Sequence, residues 1–436
     1  MTSVVLAGIV LFALFFLLIF FGVPIAISIG LSSLAAGAML LPFDEILMVV
    51  SQQFVAGIDS FVLLSLVFFT LAGSIMNTGG IALRLINLAK LLAGRLPGSL
   101  AHTNVIGNTL FGALSGSAIA SAATMGKIMA PMQKKEGYDP SYSAAVNVAS
   151  APAGLIIPPS GTPILYSVLS GGTSIGALFI AGYLPGILMS VLIMVTAYIV
   201  AKRKGYAVSE PIRFSQAAKV VLDAIPSLML IVVVIGGISF GVFTATEGAA
   251  VAILYAVVLS LIYRSLKWKD IPVILRDTVM FSGVILLLIG ASGAMSWILS
   301  YSKLPQMLSS GILDFSGNAA VLMLIIVLIL LLVGTFMDIA PALLIFTPIL
   351  LPVALEFGVD PVHFGTIMSM GLAIGTITPP VGTVLFIGSK VGNVTVEQMT
   401  KPLLLFYIPV FLAFLAVAYI PALSLWLPEL MGVLGK

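Results

Sequence analysis

Two nine-residue stretches carry most of the chemistry in this sequence. Gly154-Leu-Ile-Ile-Pro-Pro-Ser-Gly-Thr162 matches Gly375-Thr-Ile-Thr-Pro-Pro-Val-Gly-Thr383 at six of nine positions, at an offset of 221 residues. The same offset pairs Pro131 with Pro352, Gly137 with Gly358 and Asp139-Pro140 with Asp360-Pro361, without a gap. Adjacent prolines remove backbone donors and clash with the preceding turn. They also push the residue before them out of the helical region. A helix must break at each site. In lipid, freed carbonyls are tolerated only inside protein or along a watery cavity. Carbonyl and hydroxyl oxygens at such a break suit a hard cation such as Na⁺, and helix N-termini suit an anion.

Two further segments supply hydroxyls and a carboxylate. Ala113-Leu-Ser115-Gly116-Ser117-Ala118 has small residues that allow close backbone approach, and hydroxyls that can either bind a ligand or cap a helix. Gly334-Thr335-Phe336-Met337-Asp338 aligns with it at the same offset. Asp338 is the only acid between positions 315 and 355. A carboxylate at membrane depth is costly and marks a functional position by default, with helix N-capping as the alternative. The amides Asn104, Asn108 and Asn147 either line a solute path or bond across helices. Asp139-Pro140 and Asp360-Pro361 read as capped helix starts. His102 and His363 lack partners at metal-ligand spacing and read as structural.

The elements that position these residues must lie in a membrane. The 436-residue chain is 60% hydrophobic and 8% charged, with mean hydropathy +1.23. Soluble domains average about 25% charged residues. Soluble-enzyme, disordered and nucleic-acid-binding classes are therefore excluded. There is no cysteine. The spans hold no paired acids, close His pair or Ser–His arrangement of clear spacing, so no enzyme is expected. The length suffices for roughly 11–14 segments of about 20 residues. Val4–Phe21 follows no basic residue and exceeds a signal-peptide core, so it reads as a retained transmembrane helix.

Fourteen of the nineteen basic residues fall in four islands. These are Arg84 to Arg95, Lys127 to Lys135, Lys202 to Arg213 and Arg264 to Arg276. Placing every island in the cytoplasm makes 96–125 a re-entrant hairpin opening inward and 319–351 a second one opening outward. Both termini then lie outside, and the two halves cross the membrane in opposite directions. The expected fold is an all-α polytopic membrane protein built from inverted-topology repeats, each with a hairpin and a Pro-Pro-broken helix. Arg84–Arg95 and Arg264–Arg276, the latter with Trp268, read as amphipathic helices at the inner surface.

These motifs, with Met125-Gly-Lys-Ile-Met-Ala-Pro-Met132 and Ser174-Ile-Gly-Ala-Leu-Phe-Ile-Ala-Gly182, resemble the large membrane subunit of tripartite ATP-independent periplasmic (TRAP) transporters over nearly the whole chain. The resemblance implies Na⁺-driven import of an organic acid, such as a C4-dicarboxylate, sialic acid or another sugar acid. It implies a small four-helix membrane subunit, expected as a separate chain, and a periplasmic substrate-binding protein, in a bacterial inner membrane. It implies no cofactor beyond the coupling ion. One Na⁺ site would use Ser115, Gly116, Ser117, Gly154, Ile157 and Ser160. A second would use Gly334, Thr335, Asp338, Gly375, Thr378 and Gly382. The substrate would lie between the tips, near Asn104, Asn108, Asn147, Ser160, Thr162 and Thr383. With no arginine in the expected core, recognition falls to amides, hydroxyls, backbone and helix dipoles. An elevator-type transport domain (99–186 and 319–410) would move against scaffold segments (1–98 and 187–318), with 411–436 closing the last span. A stand-alone Na⁺- or H⁺-coupled anion symporter of the same superfamily is the alternative.

Overall fold

The computed structural model describes residues 2–206, 214–307 and 318–434, so Arg213 lies outside the described residues. Regular structure among the described residues is helical. The chain opens with α1 (Thr2–Phe20), α2 (Ile25–Gly37), α3 (Phe43–Ile58) and α4 (Val62–Thr78). Pro24 and Pro42 stand directly before α2 and α3, where a fixed φ starts a helix and no amide is lost from its interior. The axes of α3 and α4 bend by 54° across their junction. Next comes α5 (Ile81–Ala93), the amphipathic helix expected at Arg84–Arg95. It buries Ile81, Leu85, Ile86 and Ala89 and turns Leu83 and Leu92 outward. The Arg84 guanidinium lies 3.3 Å from the centre of the Tyr263 ring and donates to the Gly80 carbonyl, fastening α5 to its neighbour.

The segment around the first Pro-Pro pair comprises α6 (Ser99–Ser115), α7 (Ala118–Lys135), α8 (Pro140–Ser150), α9 (Ala153–Ile156) and α10 (Gly161–Leu169). Then follow α11 (Ile175–Ala181), α12 (Tyr183–Lys204), α13 (Phe214–Ser239), α14 (Ala245–Ile262) and α15 (Ile271–Tyr301). The segment around the second Pro-Pro pair comprises α16 (Ala319–Phe336), α17 (Ile339–Glu356), α18 (Pro361–Gly375) and α19 (Thr383–Gly392). The chain closes with α20 (Val396–Tyr419) and α21 (Ala422–Leu430).

Asp139 and Asp360 act as the matched helix starts their sequence suggested. Each carboxylate accepts amides two and three residues on, ahead of a proline in the first turn. The halves differ at one point. Pro152 divides the first into α8 and the single turn α9, whereas α18 runs unbroken to Gly375. The elements of the two halves interlock, with α7 and α8 against α19 and α10 against α17. Tyr166 of α10 donates to the Pro361 carbonyl at 2.7 Å, a further tie between them.

Among the described residues, seven helices are long and apolar enough to cross a membrane, or eight if α3 and α4 count as one span. This is fewer than the length alone accommodates, because prolines and glycines cut much of the apolar sequence into shorter helices. The expectation of a second amphipathic helix over 264–276 is corrected. Trp268–Asp270 forms one 3₁₀ turn, after which Pro272 sits in the first turn of the long α15. Trp268 is 89% exposed.

Candidate substrate and ion site

The first tip is a two-residue gap between α6 and α7. Gly116 adopts φ +61°, a left-handed turn that suits glycine, and its amide donates to the Gly112 carbonyl. Ser117 is extended, and its hydroxyl accepts the Ala120 amide at 3.2 Å, so it caps α7. The second tip is the matching gap, Met337–Asp338, between α16 and α17. Asp338 holds the N-cap position of α17, but its carboxylate makes no capping hydrogen bond and is exposed.

Each tip rests on the Pro-Pro break of its own half. The Pro158–Pro159 and Pro379–Pro380 bonds are both cis. Gly116 lies against Ser160, and Gly112 against Gly154. In the second half Gly334 lies against Gly375, and the Gly382 amide donates to the Thr335 carbonyl at 3.0 Å. Tyr407 of α20 donates to the Ile377 carbonyl, holding the second break from behind.

Tips and breaks surround one cavity of about 360 Å³. It is lined by Ser115 to Ala120 at the start of α7 and by Ser160 to Thr162 at the start of α10. Asp338 to Ala340 contribute the start of α17, and Thr383 and Val384 that of α19. Four helix N-termini thus meet at one space. Those of α10, α17 and α19 carry no side-chain cap. Ser160 is 1% exposed, and its hydroxyl has no hydrogen-bond partner among the described residues. The described lining residues include no Lys, Arg or His.

The structure thus brings Ser115, Gly116, Ser117, Ser160, Thr162, Asp338 and Thr383 to one cavity. Gly154, Gly334 and Gly375 stand behind it as packing contacts, and the Ile157 side chain turns toward Gly186 of α12. Thr335 and Thr378 donate their hydroxyls to the Leu332 and Ile374 carbonyls, which leaves oxygen lone pairs free to meet a cation.

Asn104, Asn108 and Asn147 are not among the lining residues. The Asn108 amide nitrogen, with two hydrogens to give, lies within hydrogen-bond distance of the Asn104 and Asn147 side-chain oxygens and the Ser150 hydroxyl, its carbonyl oxygen accepts Ser121, and Asn147 donates to the Ala122 carbonyl. The cross-helix alternative therefore describes them, as a buried network joining α6, α7 and α8. Sequence reasoning missed the opposite wall, where Thr70, Ser74 and Asn77 of α4 and Asp277 and Phe281 of α15 line the cavity. Asp277 directly follows the last basic island, and Asn77 stands beside a turn at the end of α4.

A helical, multi-span chain with paired helix breaks around a solute-sized cavity has the architecture of a membrane transporter. The crystal structure of the YdaH transporter of Alcanivorax borkumensis superposes with a TM-score of 0.63, covering 87% of this chain and 88% of that one at 15% identity, which shows the shared fold. The family model for the DctM component of the tripartite ATP-independent periplasmic transporter matches residues 12–423, and the chain belongs to that family. A Salmonella typhimurium protein, YgiK, is 53% identical over 97% of this chain and 98% of its own length. The sialic acid TRAP transporter large permease SiaM of Vibrio cholerae is 38% identical over 96% of this chain and 98% of its own. The C4-dicarboxylate TRAP transporter large permease DctM of Rhodobacter capsulatus is 32% identical over 98% of this chain and all of its own.

Proposed function

We propose that this chain is the permease of a Na⁺-coupled importer, which receives an organic acid from a periplasmic binding protein, works beside a small membrane subunit and releases the acid into the cytoplasm of a bacterial cell across its inner membrane. The observation that carries this reading is the meeting of four helix N-termini at one cavity. Each N-terminus favours an anion by about 0.3–2 kcal/mol, the larger values where it is partly buried. An anion is thereby held without a buried arginine. The named substrates of SiaM and DctM are anions of this kind.

The same geometry supports a coupling role for a cation. Ser115, Gly116, Ser117, Gly154, Ile157 and Ser160 form the first proposed Na⁺ site. Gly334, Thr335, Asp338, Gly375, Thr378 and Gly382 form the second. Hydroxyl and carbonyl oxygens are the ligands a hard cation prefers, and Asp338 contributes negative charge. A cation bound beside each N-terminal cluster raises its affinity for an anion, and the anion raises affinity for the cation by the same factor.

The repeats are read as inverted, the tips as re-entrant hairpins and both termini as periplasmic. Residues 99–186 and 319–410 move together as an elevator against 1–98 and 187–318. The cavity reaches Asn77 near the end of α4 and Asp277 near the start of α15, next to the first and last basic islands. Those islands are read as cytoplasmic, and on that reading the cavity opens inward.

The test is uptake of labelled organic acids into proteoliposomes holding this chain and its small subunit, with and without the binding protein. Uptake that requires both partners and an inward Na⁺ gradient is expected. Uptake by this chain alone would replace the reading with a stand-alone symporter.

A further inference from the structure

Met125-Gly-Lys-Ile-Met-Ala-Pro-Met132 lies on α7, below the first tip, and the site described above leaves it without a role. Most of it is packing: Met125 and Met129 are fully buried, and Gly126 lies against Asn147 and Val391. Lys127 is different. It is exposed, and among the described residues it has no ion-pair partner. Ser117, Ala120, Thr124 and Lys127 recur at helical spacing and share one face of α7. That face looks onto the wall made by α4 and α15. Ser117 and Ala120 share the cavity with Asn77 and Asp277, and the Thr124 hydroxyl donates to the Asn77 side-chain oxygen at 3.4 Å. Lys127 stands one turn beyond that contact, about 4.5 Å further along the axis.

The two sides of this contact belong to different packing groups. α7 packs on α6, α8 and α19, with the tips and breaks, whereas α4 packs on α14 and α15. From the tip, α7 runs toward Lys134 and Lys135, which are read as cytoplasmic. Travel that opens the cavity to the other side therefore carries Lys127 past Asn77, into the space between the two groups. A lysine taken to membrane depth is costly unless an opposite charge or water meets it. Two carboxylates line the cavity, Asp338 and Asp277. Asp338 starts α17 and travels with α7, so it stays at the level of the tips. Asp277 stands on α15, on the wall that Lys127 passes, and Arg276 beside it is not among the lining residues. We infer, on the elevator reading proposed above, that Lys127 and Asp277 form an ion pair when the cavity opens outward, a latch that the inward-opening arrangement lacks. The Thr124–Asn77 contact marks one end of the travel and the Lys127–Asp277 pair the other. Lys127 and Asp277 are thus positioning residues that set the balance between the two arrangements.

The experiment uses the full chain with its small subunit and binding protein, and exploits the absence of cysteine. Two double substitutions are oxidised in the membrane with copper phenanthroline. Asn77→Cys with Thr124→Cys should crosslink from the arrangement seen here, and Asp277→Cys with Lys127→Cys only from the outward-opening one. Each disulfide should stop uptake of labelled sialic acid, succinate or gluconate, whichever the complex carries, and reduction should restore it. Lys127→Asp and Asp277→Lys should each lower uptake at least about tenfold, because like charges then face each other. The two reversals combined should bring uptake back to within about threefold of the unmutated complex. Absence of the Asp277→Cys/Lys127→Cys crosslink overturns the latch, as does a combined reversal no better than either single one. The cysteine pair decides the matter where a reversal variant fails to fold. Uptake undiminished by the Asn77→Cys/Thr124→Cys disulfide would remove the elevator reading and the latch together. Both crosslinks with uptake indifferent to Na⁺ would leave the latch standing and remove the Na⁺-coupled import reading.

Discussion

Gly112 of the first tip helix lies against Gly154 of the first broken helix so closely that a Cβ on Gly112 would fall 2.5 Å from the Gly154 Cα. Gly334 and Gly375 repeat the contact in the second half, at 2.8 Å. The first tip glycine stands one residue out of the 221-residue register that relates the breaks. The contact is therefore kept by geometry where the sequence alignment slips. Backbone cannot move aside as a flexible side chain can. Gly112→Ala and Gly334→Ala should each destabilise the protein by about 1–3 kcal/mol, the usual range for overpacking. Melting of the detergent-solubilised protein checks this, and a melting temperature like that of the unmutated protein would count against the close approach.

The asparagine network makes a different prediction. Asn108 is fully buried and bonds to Asn104, Asn147, Ser150 and Ser121. Asn108→Leu leaves those partners unsatisfied, at about 1–3 kcal/mol for each group that finds no other partner. Thermal stability should fall, while the KM for the transported acid stays within about twofold, because none of the three amides lines the cavity. A large KM increase with unchanged stability would restore them to the substrate path.

Much of the first wall was legible in the sequence. The Pro-Pro pairs and small-residue tips announce broken helices through local backbone chemistry, and the 221-residue match gives their pairing. The second wall was not legible. Asn77 and Asp277 are separated by 200 positions and meet only because α4 packs against α15. Nothing local distinguishes Asp277 from the charges of an interfacial segment. The buried amides were ambiguous for a related reason. An asparagine on an apolar helix has the same sequence signature whether its partner is a solute or another helix.

Asp338 separates charge from capping. Asparagine caps helices about as well as aspartate, and the Asp338 carboxylate makes no capping bond in any case. Asp338→Asn should therefore leave α17 intact and remove only the negative charge facing the cavity. The Na⁺ concentration for half-maximal uptake should rise at least about tenfold, a change of about 1.4 kcal/mol in cation binding. A Na⁺ activation curve superimposable on that of the unmutated protein would take Asp338 out of the cation site.

At the start of α8, two roles of Asp139 differ in size. Its carboxylate accepts the Ser141 and Tyr142 amides and also lies 3.8 Å from the Lys204 ammonium. Both side chains of that ion pair are about half exposed, at 47%. An exposed pair contributes about 0–1 kcal/mol, whereas replacing an N-cap by alanine costs about 0.5–2 kcal/mol. Asp139→Ala should therefore lower the melting temperature clearly more than Lys204→Ala. The smaller effect of Lys204→Ala should shrink further in high salt. Equal effects of the two substitutions would make the ion pair the dominant role.

The absence of cysteine from the chain allows the proposed topology to be mapped one residue at a time. Lys135 follows directly on Lys134 in the second basic island, and Lys269 belongs to the fourth. Both are exposed and both are read as cytoplasmic. Glu429, exposed near the end of α21, is read as periplasmic. Single substitutions Lys135→Cys, Lys269→Cys and Glu429→Cys should divide accordingly under a membrane-impermeant maleimide. In intact spheroplasts only the last should be labelled, and all three should react once the membrane is opened. Lys135 ends α7, between the first tip and the first break, and Lys269 follows the middle helices α12 to α14. Labelling of one but not the other would break the inverted relation between the halves. Labelling of both, with Glu429→Cys protected, would instead turn the whole chain over, so that the cavity reaching Asn77 and Asp277 opened to the periplasm.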